Sequence, residues 1–231
     1  MTAEDEEFRL ATENLDLRRL LAQAGLEAAE HQTAQALQRI LVEELHHRVK
    51  NTLATVQAIV SQSLRAAQSV DEGRRAIENR LQALGRVHDL LLRTSWSKAK
   101  LEDIMKAGIE PFVTPAAPQI ALRSADIDVA AAAALPLAMV LNELCTNAVK
   151  YGALSRPSGR VSIDATVPAN TTFLLVWAEI GGPAVQEPTR RSFGSKLIEQ
   201  ALVTQLNGKA RLGFEPGGVR YELEVPLAAL D

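Results

Sequence analysis

The 231-residue chain is 47% hydrophobic and 23% charged, which is enough to bury at least one sizeable core in one or two domains. Its net charge of −3 and aromatic content of 4% argue against a nucleic-acid-binding surface, and its single cysteine, Cys145, excludes an intramolecular disulfide. The longest apolar run, 129–141, contains Pro136 and is too short for a membrane-spanning helix, and the N-terminus lacks a signal-peptide pattern, so we expect a cytoplasmic protein without a membrane span.

The first half of the sequence favours long helices, because it is rich in Ala, Leu, Glu, Gln and Arg and has no proline before Pro111. Leucines at heptad-like spacing before Gly25 are compatible with a short coiled coil over residues 5–24, although fewer than three heptads leave this open. A second predicted helix, over 33–67, carries one continuous apolar stripe that comprises Leu37, Leu41, Leu45, Val49, Leu53, Val56 and Val60.

A third predicted helix opens at Asp71, and its apolar stripe comprises Ile77, Leu81, Leu84, Val87 and Leu91. Two amphipathic helices joined by a short acidic loop predict an antiparallel hairpin with paired stripes. The hairpin would pair with a second copy in a four-helix bundle, or the N-terminal helix of the same chain would cover it. The sequence leaves both arrangements open.

The second half of the sequence is mixed. A helix around 98–109 leads into Pro111, Pro115 and Pro118, which mark a domain boundary. Beyond them, β-like runs and two helical segments alternate: strands over 119–123, 160–167, 172–180, 209–214 and 219–225, and helices over about 136–150 and 193–205. This pattern predicts an α/β sandwich with its helices on one face of the sheet.

The first candidate functional segment is ELHHRVKN, on the second predicted helix. His47 points about 200° away from Leu45, and therefore away from the apolar stripe. Glu43 and Asn51, one turn on either side, share the His47 face. A solvated surface histidine fits this pattern, and so does a nucleophile, because neutral imidazole is well populated near pH 7.

The second candidate segment is LNELCTNAVKYG, on the helix predicted over 136–150. Glu143, Asn147 and Lys150 align in a polar ladder beside the apolar core stripe of that helix. A carboxylate, an amide and an ammonium at this spacing can bind hydrated Mg²⁺ and the phosphates that it bridges. An ordinary exposed helix face has the same composition.

The third candidate segment runs from Phe173 to Ile198. Trp177 and Glu179 share one face of a predicted strand, and Gly182 after it would allow a ligand to approach the backbone closely. The loop 183–192 suits a mobile lid, and the helix start that follows it would favour phosphate through Arg190, Arg191 and Lys196. The alternative is a core tryptophan followed by a solvated loop.

In this order, the three segments resemble the HWE-type histidine kinases of bacterial two-component signalling, a family named for a histidine in its N box and a Trp-x-Glu in its first glycine box. LVEELHHRVKNTLATVQAIV is similar to the phosphoacceptor helix of that family, and LNELCTNAVKYGALS to its N box. WAEIGGP and PTRRSFGSKLIEQALVTQLNG resemble its glycine boxes. The resemblance covers residues 41 to about 227, and the order and spacing of the segments make it specific.

The resemblance implies an α+β fold in which a helical hairpin for dimerisation and phosphotransfer precedes an ATP-binding α/β sandwich of the gyrase and heat-shock ATPase type. We accordingly expect an N-terminal helical segment over 1–36, the hairpin over 37–95 and the ATP-binding domain over 96–231.

The resemblance also implies roles for single residues. His47 matches the phosphoacceptor, Asn147 the amide that holds Mg²⁺ with the triphosphate, and Glu143 the carboxylate beside it that polarises the reacting groups. Glu179 matches the acidic residue that accepts a hydrogen bond from the adenine amino group. Gly182 and Gly194 match the two glycines that flank the lid. Together with the basic residues noted above, Lys150, Arg191 and Lys196, they complete the expected nucleotide-binding positions.

Three positions depart from the family pattern. Asn142 stands where the namesake N-box histidine is expected, Ser192 replaces a lid glycine, and Asn207 replaces a glycine further on. The base that would take the proton from His47 is also open, because both Glu43, on the same helix face, and solvent are candidates.

We therefore expect an ATP- and Mg²⁺-dependent protein-histidine kinase, a homodimer through its hairpin, that phosphorylates His47 and passes the phosphoryl group to an aspartate of a response-regulator receiver domain. An ATP-hydrolysing clamp would instead use Glu143 to activate water, but it needs no histidine hairpin. A non-catalytic phosphotransfer adaptor would keep the hairpin, but it needs no Asn147 or Glu179.

Overall fold

The computed structural model describes residues 3–94, 96–113, 118–168, 171–185, 198, 202–215 and 217–231. The chain divides into two compact units, Met1–Gln57 and Ala58–Asp231.

Helix α1 spans Ala3–Ala66, so the boundary between the two units falls inside it. The sequence predicted separate helices before and after Gly25, and this was wrong because α1 passes through that residue. One glycine costs a helix only about 1 kcal/mol relative to alanine, which the strong helix formers on either side offset. The first part of the predicted apolar stripe is exposed, namely Leu37, Leu41, Leu45, Val49 and Leu53.

Helix α2 spans Val70–Arg93 and begins at a well-formed N-cap. The Ser69 hydroxyl accepts a hydrogen bond from the Glu72 amide (3.2 Å). The negative charges of Asp71 and Glu72 in the first turn stabilise the helix, because they lie near the positive end of its dipole. Val87 and Leu91 of its apolar stripe pack into the core formed with the helices that follow. The prediction that the α2 stripe pairs with the preceding helix is therefore wrong for these two residues, because they are buried in the core that α3, α4 and the sheet form.

A small two-stranded sheet follows α2. Strand β1 (Lys98–Lys100) pairs antiparallel with β3 (Asp128–Ala130), and helix α3 (Leu101–Ile109) starts directly after β1. The sequence predicted helix from residue 98, so it missed both of these three-residue strands.

The main sheet has five strands in the order β2-β4-β5-β7-β6, where β2 runs parallel to β4 and the other neighbours are antiparallel. Its strands are β2 (Ile120–Ser124), β4 (Arg160–Thr166), β5 (Thr172–Ile180), β6 (Lys209–Glu215) and β7 (Gly218–Pro226). Burial alternates along β4, β5 and β7, so the sheet presents one face to the core, as the sequence predicted. The short helix α5 (Leu202–Leu206) precedes β6.

Helix α4 (Ala131–Lys150) is the central core helix of the second unit. Of the helices in the described ranges, it alone has the length and apolar composition that would permit a membrane span, and 67% of its most apolar window is buried inside the protein. It packs against α2 and α3, and its buried residues join those of the sheet in one core. This burial accounts for its composition, as in the core helix of a globular domain.

Candidate active site

A cavity of about 1160 Å³ opens beside α4 in the second unit. The C-terminal half of α4 and the end of β5 form one part of its lining, and the turn between α1 and α2 with the start of α2 forms another. The polar residues that line it include Gln68, Glu72, Arg75, Asn79, Arg80, Asn142, Glu143, Asn147, Lys150 and Glu179. Apolar side chains of β6 and β7, among them Leu212, Phe214 and Val219, complete it. A concave site that combines apolar surface with polar groups to orient a ligand is typical of small-molecule binding.

The Glu179 carboxylate lies at the end of β5 and is 5% exposed. One of its oxygens accepts a hydrogen bond from the Ala153 amide (2.7 Å), and the other accepts one from the Trp177 indole (3.2 Å). Burial raises the pKa of Glu179, and these two hydrogen bonds oppose that rise. Trp177 is therefore both a fully buried core residue and the group that orients Glu179.

Two glycines allow the backbone to pack tightly around Glu179. A Cβ at Gly152 would lie 2.1 Å from the Glu179 carboxylate, and one at Gly182 would lie 2.8 Å from the backbone nitrogen of Ala153. The sequence predicted that Gly182 admits a ligand close to the backbone, whereas the close approach seen here is to Ala153. This packing places the Ala153 amide where it donates to Glu179.

The predicted polar ladder of α4 is present, but its two charged members are paired with α2. The buried Glu143 carboxylate forms a bidentate ion pair with Arg80, through Nε (2.5 Å) and Nη2 (2.8 Å). At the other end of the ladder, the exposed Lys150 ammonium lies 3.5 Å from Glu72. The half-buried Asn147 lies between them in sequence and lines the cavity.

His47 and Glu43 belong to the first unit, on α1. Both side chains are exposed, and so is Asn51 on the same face. The apolar side chains of Leu45 and Val49 on the other face are exposed too, so the predicted difference between the two faces stays a prediction. On the neighbouring face, Arg48 and Glu44 form an exposed ion pair (2.9 Å). The His47 ring is therefore accessible from solvent.

Arg80 and Ser63 are the functional candidates that sequence reasoning missed. Arg80 Nη1 donates a hydrogen bond to the Ser63 hydroxyl (2.6 Å), and both side chains are buried. A signal was available for Arg80, because it stands at helical spacing within the apolar stripe of α2, between Ile77 and Leu84. An arginine in a core stripe indicates a buried acidic partner.

Comparison with known proteins identifies the family. Residues 44–126 match the family model of the HWE histidine kinases. The chain belongs to this family. Blue-light-activated histidine kinases of Brucella anthropi and Brucella ovis are 34% and 32% identical to it over 207 and 204 residues, which are 88% and 87% of the chain. The chain spans 42% of the length of each of these relatives.

Solved structures of a histidine kinase have a similar architecture. The histidine kinase domain from the Erythrobacter litoralis blue-light activated histidine kinase superposes with a TM-score of 0.59 at 17% identity, over 77% of this chain and 84% of that one. The longer structure of that kinase gives 0.57 at 19% identity, over 77% and 59%. These similarities concern the fold, and they agree with the predicted helical region followed by an α/β domain.

Two departures from the HWE pattern have a structural explanation. Asn142, at the namesake histidine position, is buried and donates a hydrogen bond to the Gly108 carbonyl of α3 (3.3 Å). Asn207 has a φ of 49°, a left-handed conformation that favours glycine and that asparagine tolerates best among other residues. The predicted lid residues Arg191, Ser192, Gly194 and Lys196 lie outside the described residues.

Proposed function

We propose that the chain is the kinase portion of an ATP-dependent protein-histidine kinase that phosphorylates itself on His47. The observation that carries this proposal is the buried Glu179 carboxylate, held by Trp177 and Ala153 at the edge of a cavity that Asn147 also lines. A fixed carboxylate suits the adenine amino group, and an amide on the same cavity suits the phosphate end of the nucleotide.

The residues present also fit a magnesium ion. Among the described side chains, no cluster of three His, Cys, Asp or Glu would hold a metal by itself. Mg²⁺ that binds nucleotide phosphates needs only one or two protein ligands, because the phosphates and water complete its shell. Asn147 would supply the protein ligand, and Mg²⁺, when bound, would neutralise charge on the phosphates.

In the proposed reaction, a neutral imidazole nitrogen of His47 attacks the γ-phosphorus of ATP. A nitrogen–phosphorus bond forms, the bond from the γ-phosphorus to the β,γ-bridging oxygen breaks, and ADP leaves with that electron pair. The imidazole loses one proton, to Glu43 or to solvent. Alignment and charge neutralisation dominate such reactions, so the nucleotide-binding residues Asn147 and Lys150 would supply much of the rate. Lys150 would exchange its contact with Glu72 for the phosphates.

We further propose that the phosphoryl group passes to an aspartate of a response-regulator receiver domain, that two copies pair through α1, and that the protein is cytoplasmic. The exposed apolar side chains of α1, from Leu37 to Leu53, support pairing. Light scattering would measure the mass of a dimer for the full chain and of a monomer after Leu45→Lys. A monomer for the unmodified chain would contradict pairing.

The predicted functional division, with an N-terminal segment over 1–36, a phosphotransfer hairpin over 37–95 and an ATP-binding domain over 96–231, remains our proposal. The compact units divide instead at Gln57, because α2 packs against α3 and α4. The base of the hairpin would therefore fold together with the ATP-binding domain.

A labelled-ATP assay tests the kinase proposal. The unmodified chain should acquire an acid-labile, alkali-stable label, His47→Ala should abolish it, and the matched variant His46→Ala should retain it. Equal labelling of the His47→Ala chain would contradict the assignment.

A further inference from the structure

The Arg80 guanidinium, which lines the cavity, connects three helices: its own helix α2, α1 and α4. Through Nε and Nη2 it donates to both oxygens of Glu143 on α4 (2.5 and 2.8 Å), and through Nη1 it donates to the Ser63 hydroxyl near the end of α1 (2.6 Å). Ser63, Arg80 and Glu143 are 1%, 8% and 3% exposed. A guanidinium whose fork meets a carboxylate in this way forms one of the stronger polar contacts in proteins.

This contact determines what Glu143 can do. Both of its oxygens are engaged by Arg80, and almost none of its surface reaches solvent. In this arrangement the carboxylate is bound by Arg80, although Glu143 lines the cavity that would hold the reacting groups. Glu143 is also the carboxylate one turn before Asn147, at the position to which the family resemblance gives the role of polarising those groups, and we propose the same role for it in the His47 reaction.

The second contact between α4 and α2 differs in kind. Lys150 and Glu72 are 3.5 Å apart and exposed, so solvent screens the pair and little free energy holds it together. A buried ion pair opens only when both groups find other partners or water, because an unpaired buried charge is very costly. Of these two ion pairs, Arg80 with Glu143 is therefore the more persistent, and it holds this part of α2 at the ladder of α4.

Building on the proposed kinase activity, we propose that the Arg80–Glu143 ion pair is an autoinhibitory latch. While it is closed, Glu143 is withheld from the reaction, and phosphoryl transfer proceeds only from chains in which it has opened. Ser63 gives the latch a connection to α1, the helix that also carries His47. A displacement of α1 at Ser63 removes one of the hydrogen bonds that hold the Arg80 guanidinium and so favours the open state.

The Ser63→Ala variant tests the latch, because it weakens the hold on Arg80 without leaving a buried charge unpaired. In the full chain, the initial rate of self-phosphorylation at saturating ATP should rise about fivefold to tenfold, while the dissociation constant for adenosine changes less than about twofold. Thr55→Ala is the matched control, since it removes a hydroxyl of the same helix that donates to the Asn51 carbonyl four residues earlier. It should leave both quantities unchanged.

Arg80→Lys is a second variant, which keeps the positive charge and loses the bidentate fork. It should also raise the rate at unchanged adenosine affinity, and in a Glu143→Gln background neither variant should raise it. Amide hydrogen exchange provides a readout that is independent of activity: Ser63→Ala and Arg80→Lys should both speed exchange in the N-terminal half of α2.

The outcomes separate the latch from the kinase assignment. If the unmodified chain is labelled but Ser63→Ala and Arg80→Lys leave the rate unchanged, or lower it, the latch is wrong and Arg80 instead holds Glu143 in a productive position. If the unmodified chain acquires no label on histidine, the kinase proposal and the latch fall together.

Discussion

The Gly152→Ala substitution tests whether Glu179 is positioned as the structure shows. Gly152 has φ −114° and ψ −152°, a conformation that alanine adopts without strain. The added Cβ would lie 2.1 Å from a Glu179 carboxylate oxygen and 3.0 Å from the Cα of Ala148. Because the helix backbone cannot yield, the carboxylate must move, and the Ala153 amide then loses its acceptor.

The cost follows from that lost hydrogen bond. A buried amide without a partner costs about 1–3 kcal/mol, and the lower chain entropy of alanine offsets about 0.4–1 kcal/mol. The net loss of about 1–2 kcal/mol should lower the melting temperature of the second unit by about 2–8 °C. Adenosine should bind about tenfold or more weakly, because its hydrogen-bond acceptor is displaced.

The assay combines tryptophan fluorescence with calorimetry. Both tryptophans, Trp96 and Trp177, belong to the second unit, so their emission reports its unfolding. Gly85→Ala is the matched control, because a Cβ at that exposed position of α2 would have no atom of another described element within 4 Å. It should raise stability by up to about 1 kcal/mol and leave adenosine binding unchanged. Equal stability and equal adenosine affinity in the two variants would refute the reasoning.

Three further predictions concern the cavity and the core. Asn147→Ala should weaken binding of ATP with Mg²⁺ about tenfold in calorimetry, whereas adenosine should bind as before, since the amide serves the phosphate end. Burial raises the pKa of Glu179, so adenosine affinity should fall on acidification at a higher pH than for an ordinary glutamate. A calorimetric pH series should show this fall in the unmodified chain and a flat profile in Glu179→Gln. Val87→Ala should cost about 2 kcal/mol in chemical unfolding because Val87 is fully buried, whereas the exposed Leu92→Ala should cost less than about 0.5 kcal/mol. Equal costs would contradict the packing of α2.

Local pattern was sufficient to predict much of the fold. The longer strands have strong apolar periodicity over five or more residues, and their predicted bounds lie within about one residue of the observed ones. Helix α4 was predicted over about 136–150; its end is confirmed, but its predicted start was wrong, because the helix begins at Ala131 and Pro136 lies inside it. The Trp177–Glu179 pair could also be predicted from the sequence, because a spacing of two residues places both side chains on one face of a strand. The Trp177–Glu179 hydrogen bond and the one that the Ala153 amide donates to Glu179 depend on tertiary packing, so no local sequence pattern predicts them.

Long-range pairing is what local pattern misses. Glu143 was predicted as part of a polar ladder beside the apolar stripe of α4, but its partner Arg80 is 63 residues away on another helix and has no signal in that local pattern. Strands β1 and β3 are too short for an alternating pattern, so their pairing was invisible. The stripe of α2 looked like half of a hairpin because amphipathicity shows that a face is buried, and not which element buries it.

The central claim is tested most directly by locating the phosphoryl group on the chain. The sequence contains four histidines, His31, His46, His47 and His88, and each is a conceivable acceptor. Peptide mass spectrometry at neutral to alkaline pH, after incubation with ATP and Mg²⁺, distinguishes them. The account predicts a phosphoryl group on His47 alone, and phosphorylation of another histidine or of none would contradict it.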